Sequence, residues 1–273
     1  MANSGITLTA ATRTNLLSLQ KTTDLIARTQ NRLSTGKKVN SALDNAAAFF
    51  EAANLTNRAS DLSKLKDDVD QAISVVQGSV TGITNVTNLV EQMKGLATSA
   101  KSTSDTTERS KLAVQFNTLR TQVTFMAEDS SYKGTNLIGA TADNLTVTFD
   151  EDSKHKLTIT GTAMDSTGLT LSAATGVWAC DANIDTAIGN LDTALTTLRS
   201  TAKTLGSNAS LLQIRLDFTK EMVNSLEEGA GKLVNADMNE ESANLLSLQT
   251  RQQLGTISLS LAQQSEQSVL GLF

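Results

Sequence analysis

The chain has 273 residues, room for one large domain or two modest ones, with no proline, one tryptophan, one tyrosine and 3% aromatic side chains. That composition suits long uninterrupted helices and argues against an enzyme built of proline-turned loops around an aromatic-lined pocket. The formal charge of −5 argues against a general nucleic-acid binder.

The first residues, "MANSGITLTAATRTNLLSL", lack a basic start followed by a compact apolar segment and a cleavage site, so no cleaved signal peptide is expected. No apolar run reaches membrane-spanning length, so no membrane insertion is expected either. Leu16, Leu19, Thr23, Ile26, Gln30 and Leu33 follow the three–four spacing of a helix. Two of the six are polar, which predicts a weak amphipathic helix, unstable alone in water.

Residues 32–47, "RLSTGKKVNSALDNAA", invite a phosphate-loop reading that fails on three counts. Asn31 stands where that loop needs glycine, Lys38 follows Lys37 where Ser or Thr is needed, and the upstream spacing is helical rather than strand-like. The same residues read well as a joint between helices. Gly36 can take the left-handed conformation that ends the first helix, and Lys37 and Lys38 lie just beyond, where positive charge is favoured. Ser41 and Asp44 fit a capping box that starts the next helix, "LDNAAAFFEAANL".

From Leu62 a heptad seam runs through Leu65, Val69, Ala72, Val76, Ser79, Ile83, Val86, Val90, Met93, Ala97 and Ala100, with Ser79 its one polar member. Such a helix is roughly 60 Å long and must lie along partner helices. A second seam comprises Leu112, Phe116, Leu119, Val123 and Met126. "LTVTF" (145–149) and "KLTIT" (156–160) alternate apolar and polar and predict a hairpin across "DEDSKH"; "LTL" (169–171) suggests a third short strand. The third and longest seam takes in Ile184, Ile188, Leu191, Leu195, Leu198, Ala202, Leu205, Ala209, Leu212, Leu216, Thr219, Val223, Leu226, Ala230 and Leu233. At the end, Leu254, Ile257 and Leu261 keep the spacing until Gln264 and Ser268 interrupt it, predicting another weak helix.

The two ends carry opposite charge. Arg13, Lys21, Arg28, Arg32, Lys37 and Lys38 outweigh Asp24 over residues 1–40, whereas Asp237, Glu240, Glu241 and Glu266 outweigh Arg251 over residues 236–273. Such ends are expected to pair with each other and with neighbouring copies. Cys180, the single cysteine, is expected to be a small buried apolar group, and the single histidine, His155, to sit in an exposed polar turn. No acid–base or metal cluster converges anywhere, so no catalytic residue, metal or cofactor is expected.

These residues carry a resemblance. "LSTGKKVNSALDNAA" closely resembles the signature near the N-terminus of bacterial flagellins. "LGSNASLLQIRLDF" (205–218) resembles the family's Leu-Gly-Ala, Gln-Asn-Arg-Leu segment, and residues 235–273 its acidic stretch and terminal helix, with departures at Asn235, Ser265 and Gln267. The resemblance covers roughly residues 1–140 and 180–273.

It implies a mainly α fold: long antiparallel helical rods in a coiled-coil-like bundle, a small β-hairpin region, and N- and C-terminal helices that pair in the assembled filament. The implied divisions are 1–40 and 236–273 for the inner core, 41–140 and 181–235 for the rod, and 141–180 for a short β-rich outer segment. The implied function is the structural subunit of the flagellar filament, a secreted, extracellular homopolymer that sister flagellins can join. A flagellar export chaperone, the filament cap and junction proteins are the implied partners.

The assembly interface implied on the terminal helices and joint comprises Leu16, Leu19, Ile26, Leu33, Gly36, Asn40, Ser41, Asp44, Leu254, Ile257, Leu261, Val269 and Leu270. The family is also detected by a vertebrate Toll-like receptor through segments matching 91–97 and 119–125, with Gln92, Leu96 and Gln122 as the candidate positions. Gln92 and Gln122 replace an arginine and a glutamate of strongly recognised members, so weak activation is expected. The competing readings are a hook–filament junction protein, which usually has a longer, strand-rich middle, and an intracellular coiled-coil adaptor, which leaves the terminal motifs unexplained.

Overall fold

The structure, a computed structural model, describes residues 10–270; of Ala11, Val177, Glu266, Val269 and Leu270 it describes the backbone alone. The described chain is mainly helical, with one small antiparallel sheet. Five helices form α1 (Ala10–Thr35), α2 (Ala46–Ser102), α3 (Thr106–Asp129), α4 (Asp181–Val234) and α5 (Met238–Leu270). The contacts divide the chain into two compact units: Arg58–Asn224, and a second one comprising α1, the joint after it, the start of α2 and everything from Ser225 onward.

The Arg58–Asn224 unit holds a continuous apolar core. The α2 seam is buried from Leu62 to Ala100 apart from Leu65, which is half-buried. Ser79 is the polar member, and its hydroxyl donates to the Val75 carbonyl at 3.0 Å, which satisfies it inside the helix. Ion pairs Lys94–Asp192 and Lys101–Asp185 run down one number series as the other rises, so α2 and α4 lie antiparallel. The α4 seam residues within this unit are buried or half-buried throughout, with Ile184, Leu191, Leu198 and Leu212 fully inaccessible.

Helix α3 begins where the Asp105 carboxylate accepts from the Thr107 amide at 2.8 Å. Its buried stripe is Arg109, Ala113, Phe116, Val123 and Ala127; Leu112, Leu119 and Met126 of the expected seam are only partly covered. Phe116 meets Trp178 edge-on, ring centroids 4.9 Å apart.

The hairpin forms as expected. Strand β1 (Leu145–Thr148) pairs antiparallel with β2 (Lys156–Ile159), in the register Leu145↔Ile159 to Thr148↔Lys156. Val147 and Ile159 point into the core, Phe149 lies under the Arg215 guanidinium of α4 at 5.1 Å, and Glu151 pairs with Arg58 at 2.8 Å. His155 is exposed in the loop, as expected.

Two expectations are corrected. Leu169–Leu171 is a turn, not a third strand. The Asp165 carboxylate accepts from the Thr167 and Gly168 amides, and Thr170 takes a left-handed φ of 53°, which closes the backbone on itself while Leu169 and Leu171 still reach the core. Cys180 is exposed rather than buried, because it precedes the first turn of α4 and lies off that helix's apolar seam.

Candidate assembly site

The joint is built in four steps. Helix α1 ends at Thr35, and Gly36, at φ 71°, turns the chain while its amide still donates to the Arg32 carbonyl at 2.8 Å. Residues 36–39 then run beside 234–236. Lys38 and Val39 both donate to the Val234 carbonyl (2.7 and 3.2 Å), and Ala236 donates back to the Gly36 carbonyl at 2.9 Å. Lys38 Nζ caps the end of α4 by donating to the Lys232 carbonyl at 2.9 Å, a placement that the negative end of a helix favours. Val39 is buried beneath this clasp.

The expected capping box is half formed. Asp44 Oδ2 accepts from the amides of Asn40 and Ser41, each at 3.0 Å, and from the Ser41 hydroxyl at 3.3 Å. That closes a turn ahead of α2, and Asn45 is the residue that caps the helix, its side-chain oxygen accepting from the Ala48 amide at 3.1 Å. The correction has a simple cause: Asp44 spends its carboxylate on the turn, which leaves the helix start to the next side chain.

The amides of Asn40 and then Ser41 hold the Asp44 carboxyl below its ordinary value of 3.8. A lowered folded value means the contribution is present above the ordinary value and is lost as pH falls through the folded one. The protection of the Asn40 and Ser41 amides against hydrogen exchange is therefore expected to persist down to the ordinary carboxylate value of 3.8 and to collapse only at still lower pH. In Asp44→Asn, whose amide does not titrate, that protection should not change with pH; NMR-detected exchange decides between the two.

Helices α1 and α5 pair antiparallel. Arg32 meets Glu241 at 2.7 Å in a half-buried ion pair, Gln252 Nε2 lies 3.5 Å from Thr23 Oγ1, and Leu19 packs over Gly255, where an added Cβ would sit 3.0 Å from the leucine. On α1 the covered side chains are Thr12, Asn15, Leu19, Thr22, Ile26, Thr29 and Leu33. Of the candidate residues, Leu19, Ile26 and Leu33 lie on this face, whereas Leu16 is 40% exposed. The expected Thr23 and Gln30 are exposed as well.

On α5 the covered face is Glu241, Leu245, Leu248, Gln252, Gly255, Leu259 and Ala262. The candidate residues Leu254, Ile257 and Leu261 stand on a different face, 61%, 64% and 64% exposed, in line with Leu246. Helix α5 thus carries two leucine stripes, and the described residues cover one. The covered stripe was readable in the same heptad spacing, but glutamine and glycine inside it hid it behind the more apolar one. The side chains of Val269 and Leu270 lie outside the described residues.

In the Arg58–Asn224 unit, Gln92 and Leu96 share an apolar groove with Gly95, Val114, Gln115, Thr118 and Leu119. Gln122 does not line it. Among the described residues no group of His, Cys, Asp or Glu could hold a metal ion, and no helix is long and apolar enough to cross a membrane.

Comparison with known proteins matches both ends of the chain. Residues 6–143 fit the family model described as bacterial flagellin N-terminal helical region, and residues 188–273 fit bacterial flagellin C-terminal helical region. The chain is 34% identical to flagellin FljM of Caulobacter vibrioides over 274 residues, with all of both chains covered. It is 31% identical to a flagellin of Brucella melitensis, with 95% of each chain covered. In fold it is similar to the crystal structure of Bacillus cereus flagellin, with TM-score 0.50 and 20% identity, over 56% of this chain and 88% of that one.

Proposed function

The chain belongs to the bacterial flagellin family, and from that premise we propose that it polymerises through its terminal helices and joint into the flagellar filament, the helical propeller of swimming. It is a structural subunit, and the filament is where it resides. The observation that carries the mode of assembly is the second stripe of α5. Leu246, Leu254, Ile257 and Leu261 form a row of large apolar side chains that nothing among the described residues covers. A contiguous exposed stripe of this kind marks a surface meant for a partner. The polar make-up of the α1–α5 contact, with Thr12, Asn15, Thr22 and Thr29 on one side and Glu241 and Gln252 on the other, is the other half of the reading: two weak helices gain their stability from neighbours that bury what they leave open.

In this reading the subunit is secreted, carries no catalytic activity, and joins identical copies and related flagellins. A flagellar export chaperone, the cap and junction proteins are its transient partners. Residues 1–40 and 236–273 form the inner core, 41–140 and 181–235 the rod, and 141–180 the outer segment. The groove at Gln92 and Leu96 is the segment a vertebrate Toll-like receptor meets, and purified monomer activates that receptor weakly; a potent response sinks this part. The junction-protein and adaptor readings are not favoured, since both family models and the full-length relatives are flagellins.

The test is seeded growth. Short filament fragments added to purified monomer are expected to elongate, as seen by electron microscopy. A monomer that stays monomeric, with both end helices already protected from amide exchange, overturns the proposal.

A further inference from the structure

The joint forms a half-open pocket of about 380 Å³ whose walls include Arg28, Arg32, Lys37, Lys38 and Asp44. Ala27 is its one aliphatic side chain, so it is not a site for an apolar knob. The charges there do not balance. Arg32 is paired with Glu241, but Lys38 donates to a neutral carbonyl, and Arg28 and Lys37 have no ion-pair partner among the described residues. Asp44, the sole acid in the lining, already accepts three hydrogen bonds on one oxygen from its own turn. Positive charge gathered around a polar pocket calls for an anion with at least two oxygens, which Arg28 and Lys37 can grip together.

The same chain does not supply it. Glu241 is committed to Arg32, and the Asp237 carboxylate accepts from the Asn239 and Glu240 amides at the start of α5. Asp24, Glu51, Glu227 and Glu240 belong to the same unit, are exposed, and have no ion-pair partner among the described residues, yet none of them lines the pocket. Intrachain folding therefore leaves cations in one place and carboxylates in others. We propose that the joint is a carboxylate socket, filled in the polymer by an acidic side chain of a neighbouring copy. The proposal rests on the polymerisation reading above and adds to it a charged, directional contact. Because socket and acid occupy different surfaces, each contact leaves another socket and another acid open, and the assembly extends instead of closing.

The experiment is zero-length carbodiimide coupling of wild-type filaments and of monomer, followed by mass spectrometry. In filaments Lys37 is expected to form an amide with a carboxylate of another copy, and in monomer it is not. Lys37→Arg keeps the charge, so it should still form filaments while losing that cross-link. Arg28→Gln with Lys37→Gln should raise the critical concentration for elongation at least tenfold at low salt and flatten its salt dependence. Filaments in which Lys37 stays uncoupled, whether reactive or shielded by a free anion such as phosphate, overturn the socket and leave the flagellin reading standing. So does a double variant with an unchanged critical concentration. Wild-type protein that makes no filaments at all overturns both.

Discussion

Substituting Leu254→Glu, Ile257→Glu and Leu261→Glu together is expected to abolish growth from seeds at concentrations where the wild type elongates freely. The three side chains stand in one row and are more than half exposed, so glutamate disturbs nothing in the isolated chain. Glutamate is also a good helix former, which leaves α5 intact. Its opposite stripe, on Leu245, Leu248 and Leu259, still faces α1. In the polymer each lost apolar group costs about 1.5–3 kcal/mol, and each carboxylate adds a desolvation cost. The combined loss of about 5 kcal/mol or more corresponds to over a thousandfold in critical concentration. Electron microscopy and sedimentation measure it. If the triple variant elongates at the wild-type concentration, the exposed stripe is not the assembly surface.

The second large effect is expected in the core. Phe116 is 1% exposed and lies edge-on to the fully buried Trp178. Phe116→Ala is expected to lower the unfolding free energy of the Arg58–Asn224 unit by about 3–5 kcal/mol, the range for deleting a buried aromatic ring. The edge-to-face contact itself accounts for about 0.5–1.5 kcal/mol of that. Trp178 is the single tryptophan, so its fluorescence reports the transition directly in urea. Its indole N–H is buried without a partner among the described residues, and its φ of 55° is left-handed. Both features need tight packing to persist, and Phe116 supplies part of it. A loss below 1 kcal/mol shows that the site collapses around the missing ring.

The rods were legible in the sequence because their seams are long and almost wholly apolar. Twelve heptad positions from Leu62 to Ala100 average out a single Ser79, and the hairpin was legible because Leu145–Thr148 and Lys156–Ile159 alternate cleanly. The terminal pair was legible only in part. On α1 the covered face uses Thr12, Asn15, Thr22 and Thr29, polar residues that a search for leucines passes over, so half of the expected stripe fell on the exposed side. On α5 the more apolar stripe is the uncovered one, the reverse of the rule that holds inside a self-contained domain. The proposed use of that stripe as an assembly surface accounts for the reversal. The clasp between residues 36–39 and 234–236 was not legible at all, because it consists of backbone hydrogen bonds and side-chain types leave no trace of those.

That clasp has a consequence for timing. Its bonds join positions about two hundred residues apart, and the Lys38 side chain beside it reaches across 194 to the Lys232 carbonyl. Whichever end of the chain emerges first into a folding environment, the joint stays open until the other end arrives, with the loop-closure entropy of nearly the whole molecule still to overcome. A copy cut short between residues 224 and 234 keeps the whole Arg58–Asn224 unit, hairpin included, but it can never fasten this knot. Fastening is thus a receipt for complete delivery of the chain.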